Sequence, residues 1–176
     1  MKHLLLAVAI ILLAGLIANA QTTSNGSLAV TGEVDGSIAL FFFSDPSGYT
    51  FSADGLANES ISIGDLSAYG TPNVLLANNF TKGMDADGFH LSTPFRLQVM
   101  EANLASASYT LSAHLGDNDP TVWEIDGNIL STTPALISDS LAYTTKIQHT
   151  LYVKFPFTEN ANSSLTDTIT FIATAN

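Results

Sequence analysis

The sequence predicts an all-β sandwich, and three observations support that class. Several segments alternate apolar and polar residues with the period of two that is typical of half-buried strands. Clusters of Asp, Asn, Gly, Pro and Ser separate these segments, and no stretch shows a convincing amphipathic helix. Many short strands joined by turns favour two packed sheets. The clearest apolar faces are Phe95, Leu97 and Val99; Tyr109, Leu111 and Ala113; and Leu151, Val153, Phe155 and Phe157.

Residues 1–20 are predicted to be a secretory signal peptide rather than part of the fold. A short basic start precedes an almost wholly apolar run, Leu4 to Ile17, and Ala18-Asn19-Ala20 fits a small-x-small cleavage site before Gln21. The run is shorter than the roughly 18 apolar residues that a membrane anchor needs. We therefore expect a secreted protein with no membrane span in the mature chain.

Residues 21–35 are predicted to hold an N-terminal strand. Leu28, Val30, Gly32 and Val34 share one face, and Asp35-Gly36 then interrupts the pattern. Such an apolar face must fill a groove. That groove can lie in its own molecule or in a neighbouring one, because Asp-Gly lets the chain either reverse or swing away. The residues alone leave both arrangements open, and residues 36–176 are predicted to form the sandwich domain itself.

Further elements follow along that domain. The closing segment, Thr168 to Thr174, places Ile169, Phe171 and Ala173 on one face. Proline inside a strand lacks a hydrogen-bond donor, so Pro94 and Pro156 predict edges or bulges in their strands. Trp123 is expected to plug the core or a sheet end. Short helices are considered for Asp65 to Ala68 and for Thr133 to Leu141.

Composition excludes several function classes. The formal net charge is −11, and removal of Lys2 with the leader makes it one unit more negative. Nucleic acids and anionic membranes need clustered Lys and Arg, so neither is expected as a partner. The chain has no cysteine, which excludes disulfides, thiol catalysis and cysteine-ligated metals.

No catalytic, cofactor or metal site is predicted. The three histidines of the predicted domain are widely spaced and lack zinc-binding patterns. Two aspartate pairs resemble pieces of calcium-binding loops. The same residue types also favour ordinary solvated turns, so both interpretations stay open. No nucleophile motif is visible, so we expect no enzyme, although a pair of acidic residues brought together by folding stays as a minor alternative. The residues concerned are His90, His114, His149, Asp85, Asp87, Asp117 and Asp119.

Two short segments resemble known assembly proteins. Leu28 to Asp35, Leu-Ala-Val-Thr-Gly-Glu-Val-Asp, resembles the N-terminal segment of major subunits of alternate chaperone/usher fimbriae. Leu165 to Asn176 resembles the closing strand of the spore coat protein U domain. The resemblance implies an immunoglobulin-like sandwich that lacks one strand, which a neighbouring subunit donates from its N-terminus. By position, Leu28, Val30, Gly32 and Val34 would form the donor face.

The expected function is therefore a secreted or cell-surface structural subunit of a filament, fimbria or coat. Its partners would be further copies of itself and a periplasmic chaperone, with no cofactor. The alternative is a monomeric secreted sandwich that binds carbohydrate or another ligand on exposed aromatic rings such as Tyr49, Tyr69 or Trp123. Burial of those rings discriminates between the two.

Overall fold

A computed structural model describes residues 29, 31–33, 35–69, 79–118, 121–158 and 167–176. The chain divides into two compact units, Met1–Glu33 and Val34–Asn176. In the first, Ala29 and residues 31–33 are exposed and lie outside any strand. The predicted signal peptide, residues 1–20, lies outside the described residues, as does most of the predicted N-terminal strand.

The second unit is an all-β sandwich of two antiparallel sheets, which confirms the predicted class. Sheet A has the order β1-β3-β8-β5-β6, with β2 also paired to β3, and sheet B has the order β7-β4-β9. The strands are β1 (Ser37–Phe43), β2 (Thr81–Met84), β3 (Gly88–Ala102), β4 (Ser108–Leu115), β5 (Val122–Ile125), β6 (Asn128–Ile129), β7 (Ala135–Ala142), β8 (Ile147–Pro156) and β9 (Ile169–Ala175).

The inward faces of the central strands form the core, as the alternation predicted. Leu97 and Val99 of β3, Leu111 of β4 and Val153 of β8 are fully buried, while their sequence neighbours are partly exposed. Trp123 of β5 is also buried, which confirms its assignment to the core. The hydrophobic effect along these faces holds the two sheets together.

The long strand β3 organises sheet A. One edge pairs with β8, while the other pairs with β2 near its start and with β1 near its end. Pro94 lies between the β2 and β1 pairings, and its carbonyl accepts a hydrogen bond of 3.0 Å from the Tyr49 N–H. The N–H and C=O of a strand residue point to the same side of the strand. The N–H that Pro94 lacks would therefore point into the gap between β2 and β1, and the hydrogen bonds between β3 and β8 are not affected.

Two tight turns follow the expected turn chemistry. Asp126 and Gly127 both have positive φ, 53° and 79°, and join β5 to β6 as a two-residue hairpin. The mirror-image turns that suit hairpins need such angles, which explains the Asp-Gly pair. The β2–β3 hairpin closes without positive φ at Ala86 or Asp87, and the Asp85 N–H donates to the Gly88 carbonyl at 2.9 Å.

The helix considered for Thr133 to Leu141 is wrong, because Ala135–Ala142 form strand β7. β7 pairs with β4, and this ladder, with its bulges near Leu111, overrides the local preference. Asp65 to Ala68 are irregular rather than helical. No helix in the described part of the chain has the length and apolar character that crossing a membrane requires.

Replacing Gly48 with alanine is expected to destabilise the sandwich by about 1–3 kcal/mol, the range typical of overpacking. A Cβ at this position would lie 2.2 Å from the Pro94 carbonyl oxygen and 2.4 Å from its Cδ, so the turn after β1 would have to move off β3. Chemical denaturation measures the loss. Gly116→Ala is the matched control within the sandwich, since a Cβ there makes only ordinary contacts at 3.5 Å or more; equal stability of the two variants would contradict this expectation.

Candidate assembly site

Strand β9 has an outer edge with no strand beside it in the described part of the chain. The Gly116 N–H donates to the Thr168 carbonyl at 2.8 Å, and the Asn176 N–H donates to the Ser108 carbonyl at 3.1 Å. Even-numbered residues of β9 therefore direct their backbone groups to β4. The residues that direct their N–H and C=O groups to the outer edge are Ile169, Phe171, Ala173 and Ala175.

Strand β1 forms a second outer edge, on sheet A. At one end it is covered, because the Phe42 N–H donates to Leu56 at 2.9 Å and the Phe42 carbonyl accepts from Gly55 at 2.8 Å. By the same alternation, Ile38 and Leu40 direct their backbone groups outward. Within the described residues, no hydrogen bond reaches those groups.

The side chains along these two edges pack on the core without being fully buried. The half-buried residues are Ile38, Leu40 and Phe42 of β1 and Ile169, Phe171 and Ala173 of β9. The Phe42 and Phe171 rings meet edge to face at 5.7 Å, so the edges of the two sheets come together here. We call these six residues and the two outer edges the β1–β9 seam.

The side chains along the core face of β9 change from a large aromatic ring at Phe171 to small residues after it. Its ring contacts Phe42 and also Phe95, at a centroid distance of 5.9 Å, and the three rings form one cluster. Beyond Phe171, β9 continues with only small residues on the core face, Ala173 and Ala175. An incoming chain therefore meets a bulky ring at one position and short side chains at the next two.

This arrangement can take up an extended peptide. Unpaired backbone groups of an edge strand bind another strand by main-chain hydrogen bonds, and apolar positions beside them receive alternate side chains. Within strands β1 and β9 there is no charged residue and no proline. Those are the features by which edge strands ordinarily avoid such pairing.

Of the predicted donor face, the structure describes only Gly32. It is exposed, lies outside any strand, and has open space where a Cβ would be. Leu28, Val30 and Val34 lie outside the described residues. The β1–β9 seam was not identified from the sequence, although the alternation of β9 was, because a strand's pattern does not say which of its edges is paired.

Of the four aspartates considered for calcium, two have protein partners, one is exposed in a turn and one lies outside the described residues. Asp85 accepts a hydrogen bond from His90 Nδ1 at 2.9 Å, and Asp87 pairs with the Lys154 ammonium at 2.8 Å. Asp117 is exposed in the turn after β4, and Asp119 is not described. Among the described residues, no three His, Asp or Glu side chains gather as metal ligands would.

The histidines occupy separate positions with different roles. His149 is buried at 2% exposure and donates from Nδ1 to the Asp126 carboxylate at 2.6 Å. Burial alone would raise the pKa of Asp126, but the hydrogen bonds from His149 and from the Thr150 N–H outweigh it and lower that pKa. His114 Nδ1 lies 2.9 Å from the Leu115 carbonyl oxygen. The His149 contact holds the turn between β5 and β6, and the His114 contact lies at the end of β4.

The three aromatic residues considered as a ligand platform do not share an exposed face. Tyr49 and Trp123 are buried, and the Tyr49 hydroxyl accepts a hydrogen bond from the Ser62 N–H. Tyr69 is 73% exposed, and its ring stacks on Phe157 at 6.0 Å. Only this last pair is positioned to meet a ligand from solvent.

Comparison with known proteins adds no relative to these observations: no protein-family model matches the chain, and no curated protein matches it.

Proposed function

We propose that this protein is a secreted structural subunit of a surface filament, fimbria or coat, in which residues 28–34 of one copy fill the β1–β9 seam of the next. The sandwich of each copy would be immunoglobulin-like and completed in trans, as the resemblance of Leu28 to Asp35 implies. The observation that carries the proposal is the outer edge of β9, which combines unpaired backbone groups with half-buried apolar side chains.

Two further observations support the proposal. The seam strands carry none of the charges or prolines that protect edges from pairing. The predicted donor has the complementary character, since Leu28, Val30 and Val34 each gain roughly 1.5–3 kcal/mol if they become fully buried. Together these gains are comparable to the whole stability of a small domain, about 5–15 kcal/mol.

Replacing Ala173 with proline tests the acceptor side. The Ala173 N–H faces the outer edge, so proline removes a donor that an incoming strand needs while the hydrogen bonds to β4 remain. We expect the variant to fold but to form no filaments, as judged by electron microscopy of the secreted protein. Thr174→Pro is the contrasting variant. It removes an N–H that donates to β4, so it should lower the melting temperature of the subunit.

A second variant, Ala173→Asp, keeps the experiment informative if proline disturbs folding, because an apolar donor that covered the seam would remove water from its carboxylate without supplying a partner. Filaments of normal length from both folded variants would contradict the proposal.

A monomeric ligand-binding sandwich is the second candidate, and the exposed Tyr69–Phe157 stack favours it. Aromatic faces of this kind bind the apolar faces of sugars. Two results would favour this candidate over the filament subunit. The secreted protein would stay monomeric at high concentration, and Tyr69→Ala would abolish its retention on glycans.

A further inference from the structure

The outer face of sheet B, the side turned away from the core, carries exposed aliphatic side chains. Leu111 and Ala113 of β4 are buried in the core, so Ser112 between them points outward. The register places Leu136 of β7 on one side of Ser112 and Ile172 of β9 on the other. Leu136 is 57% exposed and Ile172 is 38% exposed. The three side chains form a row across the sheet, with a small polar residue between two large apolar ones.

This face is poor in charge. Strands β4 and β9 contain no aspartate, glutamate, lysine or arginine. The neighbouring row pairs Thr110 of β4 with Thr174 of β9. Asp139 is the only acidic residue in the described strands of sheet B, and it lies in the bulge of β7 rather than in the row. We call the outer side of Leu136, Ser112, Ile172, Thr110 and Thr174 the sheet B face.

The basic side chains lie on the other sheet. Within the described residues, Lys82 belongs to β2, Arg96 to β3 and Lys154 to β8, and the Lys146 ammonium lies 3.7 Å from the centre of the Phe43 ring of β1. Every lysine and arginine in this part of the chain is therefore in sheet A or against it. Strong electrostatic attraction to a charged partner requires clustered charge of the opposite sign, which the sheet B face lacks.

The charge of the whole chain identifies the occupant that fits this face. Two copies of a protein with a formal net charge of −11 repel each other, and contact between surfaces rich in carboxylates would add to that repulsion. On the sheet B face, two copies can bury aliphatic side chains while bringing almost no charge together. Exposed apolar patches with a polar surround are typical of protein–protein contacts.

We propose that the sheet B face is a self-association surface, on which sheet B of one copy packs against sheet B of another. Two-fold symmetry uses the same face on both copies, so the face must be complementary to itself. The row meets this condition when the copies are offset by one strand, because Ile172 of each copy then lies over Ser112 of the other. Stacked sheets lie about 10 Å apart, a distance that interdigitated side chains fill.

The face is small, so one pair of copies is held weakly. Three strands of about seven residues cover roughly 350 Å² at the usual spacings, whereas stable interfaces bury about 800 Å² on each partner. A contact of this size becomes effective when many act together. The proposal does not require strand exchange, because it uses the outer face of sheet B and not the edge of β9. In a filament or coat, the same contact would hold neighbouring filaments side by side.

Ser112→Lys tests this surface in the full secreted protein. It places an ammonium group at the centre of each face, and the two-fold contact would bring these like charges together. The substitution also makes the protein less negative, so long-range repulsion between copies falls and cannot explain a loss of association. Thr150→Lys is the matched control, because it makes the same change of charge at an exposed position on the outer face of sheet A.

We expect self-association of the wild type and of Thr150→Lys to increase with protein concentration and with salt, because salt screens the repulsion between acidic copies. Ser112→Lys should associate about tenfold more weakly or less, at an unchanged melting temperature. Sedimentation velocity measures the pairs, and electron microscopy shows whether filaments lie side by side. If the lysine lowers the melting temperature, Ile172→Thr is the second variant, since it removes apolar surface, keeps a β-branched side chain and should also weaken association.

Three results would overturn the proposal. The wild type could fail to associate at any accessible concentration, its association could weaken as salt is added, or folded Ser112→Lys could associate as strongly as Thr150→Lys. The test is separate from that of strand exchange, because Ser112→Lys leaves the edge of β9 intact and Ala173→Pro leaves the sheet B face intact. Filaments that persist in Ser112→Lys but no longer lie side by side would support both proposals.

Discussion

Val30→Asp is expected to abolish filament formation while leaving the isolated subunit as stable as the wild type. In the proposed assembly, Val30 fills part of the β1–β9 seam of a neighbouring copy, and a carboxylate there would be moved from water into an apolar seam. That transfer is costly unless a partner compensates the charge, and strands β1 and β9 offer none. In that assembly Val30 is donated to a neighbour and does not pack in its own sandwich, so the melting temperature of the monomer should not fall.

Thr31→Asp is the matched control, because it adds the same charge one position along the chain. Thr31 is exposed, and in the proposed assembly it faces solvent, so filaments should persist. Negative-stain electron microscopy and sedimentation give assembly, and thermal unfolding of the monomer gives its stability. If Val30→Asp instead lowers the melting temperature of the monomer, the strand pairs within its own molecule and trans donation is wrong.

Arg96→Met is expected to cost about 3 kcal/mol of folding stability, within the range found for breaking a charge pair that has a buried member. Arg96 Nε donates to Asp45 Oδ2 at 2.8 Å, and the Asp45 side chain is 1% exposed. Methionine keeps the length of the side chain but removes the charge. It leaves a buried carboxylate to which, among the described residues, only Ser47 still donates side-chain and backbone hydrogen bonds.

Lys154→Met is the control, because Lys154 pairs with Asp87 over the same distance, 2.8 Å, but that carboxylate is 73% exposed. Water replaces the lost partner there, so denaturation should detect little change. Similar losses in the two variants would show that burial of Asp45 does not decide the effect.

The loss in Arg96→Met should depend on pH. The Ser47 hydroxyl lowers the pKa of Asp45; burial opposes this, but the Ser47 N–H and Arg96 add to the lowering. A carboxyl with a lowered pKa stabilises the fold above the ordinary value, about 3.9, and this contribution disappears as pH falls through the folded pKa. The stability gap between wild type and Arg96→Met should therefore narrow in acid, as urea titrations at neutral and low pH would measure.

Local pattern was sufficient to predict β3, β4, β8 and β9, four of the nine strands in the described part of the chain. The alternation around Leu97, Leu111 and Val153 reports which residues face the core, because successive side chains in a strand point to opposite sides. Residue type predicted a core or sheet-end position for Trp123, which is buried. The local pattern failed at Ala135–Ala142, where pairing with β4 decided the conformation.

The sequence by itself determined the fold class and the apolar face that strand β9 would present, since both depend on the period of two along a short segment. Only the tertiary structure decided that β1 and β9 are edge strands and meet at Phe42 and Phe171. It also decided that Asp45 is buried against Arg96, 51 residues away. Strand order and long-range pairs arise from closing loops across the chain, and no local pattern carries that information.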